Sequence, residues 1–149
     1  MLLILLEYGR DVEKSKRLCE ELNIANSVRW LPIMDRKDIL CLINKVDVVA
    51  SEFYTGEGVM WGGTGWETLI MGKSLILGFN FEKTSFEELF GFPPPPLFPV
   101  KTKNDLKLHL KKLIKSKKLV KENGEKNRIW FYKYNGHKIA KKWIDLLKT

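Results

Sequence analysis

Apolar positions along this chain follow two rhythms in turn, one of strand length and one of helical period. Leu2–Glu7 is a continuous apolar run of strand length, which predicts a buried strand starting almost at the first residue. Val12–Leu22 then places apolar residues at 12, 18, 19 and 22, a helical stripe, with Asp11 positioned to cap it. Val28–Leu31 predicts a short strand closed by Pro32, and Asp35 precedes a helix carrying Ile39, Leu40, Leu42 and Ile43. Val46–Ala50 predicts a third strand, followed by a glycine-rich loop, a helix over Gly65–Met71 and a strand over Ser74–Leu77. A brief helix is expected around Phe86–Leu89. Pro93–Pro96 forms a stiff turn, and two or three lysine-rich helices complete the chain. Alternating strands and helices indicate α/β architecture, a parallel sheet of doubly wound type with flanking helices. Ligands of such sheets sit outside the carboxyl ends of the strands, and the Ser51–Thr64 loop leaves such an end.

That loop carries the richest local chemistry. In Gly62-Gly63-Thr64-Gly65-Trp66-Glu67 the glycines let a backbone approach a ligand without Cβ clashes. The helix start behind them offers unpaired N–H groups and a positive dipole end, which suits a diphosphate. Glu67, one turn inside, is placed to accept hydrogen bonds from a sugar hydroxyl. A purely structural account of the same residues stands beside this one. Thr64 and Glu67 fit a capping box, and Gly72 fits a left-handed helix end.

With 149 residues, the chain is expected to form a single domain over 1–149 with a buried core. Cys19 and Cys41 lack metal or redox spacing, so buried free thiols in a reducing compartment are expected. His109 and His137 have no partner ligands at metal spacing, and no metal site is expected. Glu7-Tyr8-Gly9-Arg10 offers a single glycine after the first strand, which argues against a nicotinamide or flavin dinucleotide. Charge is lopsided. Residues 101–149 hold 16 Lys/Arg against 4 Asp/Glu, whereas residues 1–100 hold 10 against 14. Most of these lysines lie on polar sides of amphipathic patterns such as Leu106, Leu108, Leu110, Leu113 and Ile114, so a solvated face is the default reading of the lysine-rich tail. Attraction to an anionic membrane surface ranks next as a partner, and nucleic acid last.

Five segments, in order, resemble the carboxyl-terminal half of GT-B-fold glycosyltransferases of family 4, also called group 1. Leu3–Glu7 with Glu13–Leu18 and Glu20–Leu22 resembles the family's strand and helix before the acceptor cleft. Asn26–Leu31 is similar to its "NVRFLG" strand, and Val46–Ser51 to its "ADVFVLPS" strand. Trp66–Ile76 is similar to "LEAMACGKPVI", and Lys138–Trp143 resembles the closing helix.

This resemblance implies a Rossmann-like domain, half of a GT-B fold, that binds a UDP- or GDP-sugar as donor substrate with no separate cofactor. It implies that Glu67 holds the ribose hydroxyls, that backbone groups of Gly63, Thr64 and Gly65 contact the phosphates, that Ser51 lies in the donor site and that main chain near Ile33 reads the base. The family's first glutamate, separated from this one by seven intervening residues, approaches the transferred sugar. Its position here is Val59, with Glu57 the weak alternative, so no catalytic residue is assigned. The family's "GRLxxxKG" strand and helix, whose basic residues clamp the diphosphate, and its acceptor-binding amino-terminal domain have no counterpart in the chain. The missing strand is central in the order 3-2-1-4-5-6, so Leu2–Glu7 and Val46–Ala50 either pair directly or leave a gap. A truncated or split gene fits the abrupt apolar start, with the absent domain, a partner chain or a homo-oligomer completing the cleft.

Three functions follow. The first is a donor-nucleotide half of a glycosyltransferase acting in glycan or polysaccharide biosynthesis, inactive alone, cytoplasmic or peripheral at the cytoplasmic membrane. The second is a degenerate, non-catalytic nucleotide-binding or scaffold module. The third is a basic nucleic-acid or membrane-surface protein resting on the tail alone.

Overall fold

The computed structural model describes residues 1–53, 56, 58, 59 and 61–148. It divides into two compact units, Met1–Ile39 and Leu40–Thr149. In the first, β1 (Leu3–Leu6) runs parallel to β2 (Val28–Leu31) in a two-stranded ladder with Leu3 opposite Val28 and Leu6 opposite Leu31. Helix α1 (Val12–Glu21) and a 3-10 turn at Ala25–Ser27 connect them. The expected buried strand is half-exposed, because one neighbouring strand covers only part of its surface. Only Cys19 of the α1 stripe is buried, while Leu18 and Leu22 are exposed. Asp11 stands at the N-cap but its side chain makes no capping bond. Lys16 reaches back to Glu7 at 3.0 Å and Glu13 at 3.3 Å, and these two carboxylates hold its ammonium pKa above the usual value.

Helix α2 (Arg36–Lys45) carries the chain into the second unit, where β5 (Ser74–Asn80) is the spine. Six of its seven residues are buried, as a strand covered on both faces requires. β3 (Val48–Ala50) and β6 (Phe98–Val100) flank it in parallel, with Val48 opposite Ser74 and Ile76 opposite Phe98. Strand β4 (Gly58–Val59) pairs antiparallel with the end of β5, a reversal that the strand–helix alternation does not announce. Among the described residues β1 pairs with β2, and β3 pairs with β5.

Alternation along β5 sorts the core into two layers. Leu75, Leu77 and Phe79 face a cluster with Leu69, Phe86 and Trp130, and Ile76 faces Val100 and Leu113. Helices α3 (Gly63–Ile70), α4 (Lys83–Phe90), α5 (Lys103–Lys115) and α6 (Lys117–Tyr134) supply these layers. On α5 the inward line is Leu106, Leu110 and Leu113 at helical spacing, and Leu108 and Ile114 fall outside it, exposed. Cys41, expected inside, is exposed.

Helix α6 is fastened to the start of β5 through polar groups. Ser74 donates to the Val120 carbonyl at 2.8 Å, and Asn127 donates to the Lys73 carbonyl at 2.9 Å. Gly72, left-handed at φ +68 as its place after α3 predicts, meets Gly124 of α6 backbone to backbone. The proline turn is tied to the same helix by Trp130, whose ring N–H donates to the Pro93 carbonyl at 2.7 Å. A last helix, α7 (His137–Leu147), follows Gly136. No helix among the described residues is long and apolar enough to cross a membrane.

Candidate nucleotide site at the start of α3

Strand β3 delivers the chain to the carboxyl edge of the sheet, where Ser51 N–H still donates to the Ile76 carbonyl at 3.0 Å and Gly78 N–H donates to the Glu52 carbonyl at 2.8 Å. The chain returns through β4 and Trp61 into α3. Gly62 is the N-cap in extended conformation, and its carbonyl accepts from Gly65 N–H at 3.1 Å and Trp66 N–H at 3.5 Å. The helix therefore begins two residues before the expected Gly65, and Thr64 lies inside the first turn rather than at the cap. The capping-box expectation is corrected here: the N-cap is Gly62 rather than Thr64, and among the described residues no side chain caps α3. Its glycines carry no side chain that could hydrogen-bond back, so helical turning propagates to Gly62 instead of stopping at Thr64.

The result is a helix start left open. Among the described residues, the N–H groups of Gly63 and Thr64 have no backbone partner, the normal condition of a first turn and the one that favours an anion. A Cβ on Gly63 would meet nothing within 4 Å. A Cβ on buried Gly65 would lie 3.4 Å from the Trp61 ring and 3.8 Å from Ser51 Oγ, so Ser51 and Gly65 do come together. The Thr64 carbonyl accepts from the Thr68 hydroxyl at 2.6 Å. Glu67 follows one turn later, half-buried.

Two features here escape reading by period and motif. Glu52 brings its carboxylate against Gly62, where any side chain would collide with it, and Ser51 Oγ donates to that carboxylate. Trp61 stacks on Trp66 with centroids 4.6 Å apart, Trp66 lies against Trp130 and Phe131, and Trp61 meets Phe79 edge-on. This aromatic wall fixes the entry to α3. Trp61 and Trp66 were visible as large residues among glycines, but nothing in their spacing marks them as a stack.

The remaining expected residues fall elsewhere. Glu57 lies outside the described residues. Val59 sits in β4 opposite Phe79, so the position of the first family glutamate presents only carbon. Ile33 belongs to the first unit, 70% exposed in the segment between β2 and α2. A polar cleft of about 380 Å³, lined by Gly58, Asn80, Phe81, Glu82 and Ser85, opens beyond the carboxyl end of β5. It does not include the first turn of α3. Among the described residues no three His, Cys, Asp or Glu side chains group as a metal site would need.

No family model matches the chain, and no curated protein matches it in sequence. Solved structures do. HepE from Anabaena, solved in complex with UDP, superposes at a TM-score of 0.74 over 99% of this chain with 16% identity. Sucrose-phosphate synthase from Thermosynechococcus elongatus superposes at 0.72 over 98% with 15% identity. This chain spans 41% and 37% of those proteins respectively. The fold is thereby α/β and Rossmann-like, parallel sheets flanked by helices, and it matches the fold of GT-B glycosyltransferase domains.

Proposed function

We propose that this chain is the donor-nucleotide part of a glycosyltransferase, binding a nucleotide-diphospho-sugar with its phosphates at the first turn of α3. One observation carries the reading: among the described residues the N–H groups of Gly63 and Thr64 have no backbone partner, at the carboxyl edge of a parallel sheet, in a fold that superposes along nearly its whole length on a UDP complex. In this reading Gly63, Thr64 and Gly65 hold the diphosphate through backbone donors and the helix dipole. Glu67 accepts from the ribose hydroxyls, and Ser51 borders the phosphates. What this part contributes to transfer is stabilisation of the departing diphosphate.

Calorimetric titration of the purified chain with UDP and with GDP tests the proposal. Saturable binding of one of them, competed by the matching nucleotide sugar, is expected. Absence of binding by either at millimolar ligand would remove the donor reading. A second reading, a nucleotide-binding module without catalysis, is favoured by Val59, which fills the first-glutamate position with an aliphatic side chain inside β4. It predicts the same titration but no assistance to transfer when a complementary acceptor domain is supplied.

A further inference from the structure

The open start of α3 has an anion of the protein's own standing against it. Gly62, the N-cap, has φ −79 and ψ 164, an extended conformation that any residue adopts, so its backbone does not call for glycine. The space beside it does. A Cβ on Gly62 would run into Oε1 of Glu52 and lie 2.9 Å from Oε2. The Glu52 carboxylate therefore fills the room in which a capping side chain on residue 62 would lie, yet no capping hydrogen bond joins it to the helix. The backbone beneath it is fixed. The Glu52 carbonyl accepts from Gly78 N–H at 2.8 Å, and Ser51 N–H donates to the Ile76 carbonyl at 3.0 Å. The side chain is steadied by the Ser51 hydroxyl, which donates to Oε2.

We propose that Glu52 is an internal stand-in for phosphate: its carboxylate holds the start of α3 in the empty protein, and a diphosphate binds by displacing it. This rests on the phosphate position proposed above. A carboxylate and a diphosphate at one helix start would share a single positive dipole end and repel each other, so the two do not keep the place together. Charge alone ties the carboxylate to the helix, and it can leave by side-chain rotation while residues 51 and 52 stay paired with β5. Beside it, a Cβ on Gly63 would meet nothing within 4 Å, which leaves the incoming phosphate an approach. Gly62 matters in this device for the room it leaves to Glu52.

Calorimetric titration of the whole chain and its variants with UDP, GDP and pyrophosphate tests the displacement. Glu52→Gln keeps the size of the side chain and removes its charge. It should tighten binding of pyrophosphate, and of whichever nucleotide binds, by about tenfold, and lower the melting temperature of the ligand-free protein. Gly62→Ala should push the carboxylate out by contact. Its effect on binding should be more favourable in the wild-type background than in Glu52→Gln, a comparison that cancels any obstruction by the new methyl group itself. Equal affinities for wild type and Glu52→Gln, or a Gly62→Ala effect equal in both backgrounds, would overturn the proposal and leave the donor reading standing. So would a Glu52→Gln variant that binds the nucleotide sugar more weakly and the nucleotide unchanged, since the carboxylate would then be a partner of a sugar hydroxyl. Pyrophosphate binding that tightens in Glu52→Gln, with no binding of UDP or GDP, would support the stand-in and remove the donor reading. No binding of any of the three by either protein would remove both.

Discussion

Gly63 occupies the first helical position of α3 with open space where a side chain would point. An aspartate there should therefore act in opposite senses on stability and binding. A carboxylate in the first turn complements the dipole, so Gly63→Asp is expected to leave stability unchanged or raise it by about 0.3–1 kcal/mol. The same charge would repel a diphosphate, and UDP or GDP binding should disappear from the titration. Retained binding in a stable variant would move the phosphates away from this turn. Glu67→Gln tests the proposed ribose contact separately. Loss of a charged hydrogen bond should weaken nucleotide binding by about 1–3 kcal/mol, with the melting temperature as the control. A different residue governs packing. A Cβ on Gly124 would run into the Gly72 carbonyl oxygen and lie 3.0 Å from the Gly72 carbonyl carbon. Alanine is favoured over glycine in a helix by about 1 kcal/mol, but the obstacle is backbone that cannot rotate away. A net loss of about 1–3 kcal/mol is expected for Gly124→Ala by urea denaturation, and an unchanged midpoint would show that α6 can shift.

Among the elements, α5 has the best-defined start. Thr102 Oγ1 accepts from Asp105 N–H at 3.2 Å, and Asp105 accepts from Thr102 N–H at 2.8 Å, from the Thr102 hydroxyl at 2.9 Å and from Lys101 N–H at 3.1 Å. The Thr102 hydroxyl and these backbone donors hold the Asp105 carboxyl below its usual range. A carboxyl depressed on folding adds stability above its unfolded pKa, and that contribution is lost as pH falls through the lower folded value. Urea midpoints measured downward from pH 5 should therefore decline, and Asp105→Asn should flatten part of the decline. Glu82, depressed by Lys101 at 2.8 Å, contributes in the same window and remains in that variant. Thr102→Ala should cost about 0.5–2 kcal/mol at neutral pH. A midpoint independent of pH in both proteins would mean the box forms equally in the unfolded chain. Strand β6 shows why short elements hide. It is three residues long with Pro99 in the middle, tolerable because β6 pairs only with β5, and neither period nor propensity marks it.

For the whole molecule, the superposed proteins are more than twice as long as this chain. Transfer of a sugar needs donor and acceptor held in line, and such positioning is worth about 7–11 kcal/mol of barrier. The described residues offer an open first turn of α3 but an aliphatic side chain at Val59. The chain by itself is accordingly expected to bind nucleotide and not to turn over. Incubation with a panel of UDP- and GDP-sugars, following nucleotide release and sugar transfer, checks this. Turnover by the isolated chain would show that donor residues within it suffice for the chemistry.

The sequence by itself determined most of the succession of elements, β4 and β6 excepted. Apolar runs of strand length marked β1, β3 and β5, β2 was bounded by Pro32, and Gly72 after Met71 fitted the left-handed end of α3. These features are legible because each is a contact of a residue with its own neighbours along the chain. Tertiary structure alone decided where α3 begins, that Glu52 stands against Gly62, that β4 turns back antiparallel along β5 and that the tryptophans stack across α3 and α6. It also decided burial. The apolar stripes of α5 and α7 look equally strong in sequence, yet one packs on Ile76 and Val100 and the other meets no core. Periodicity states which face of an element is apolar. What covers that face depends on residues far away in the chain, and local pattern does not encode them.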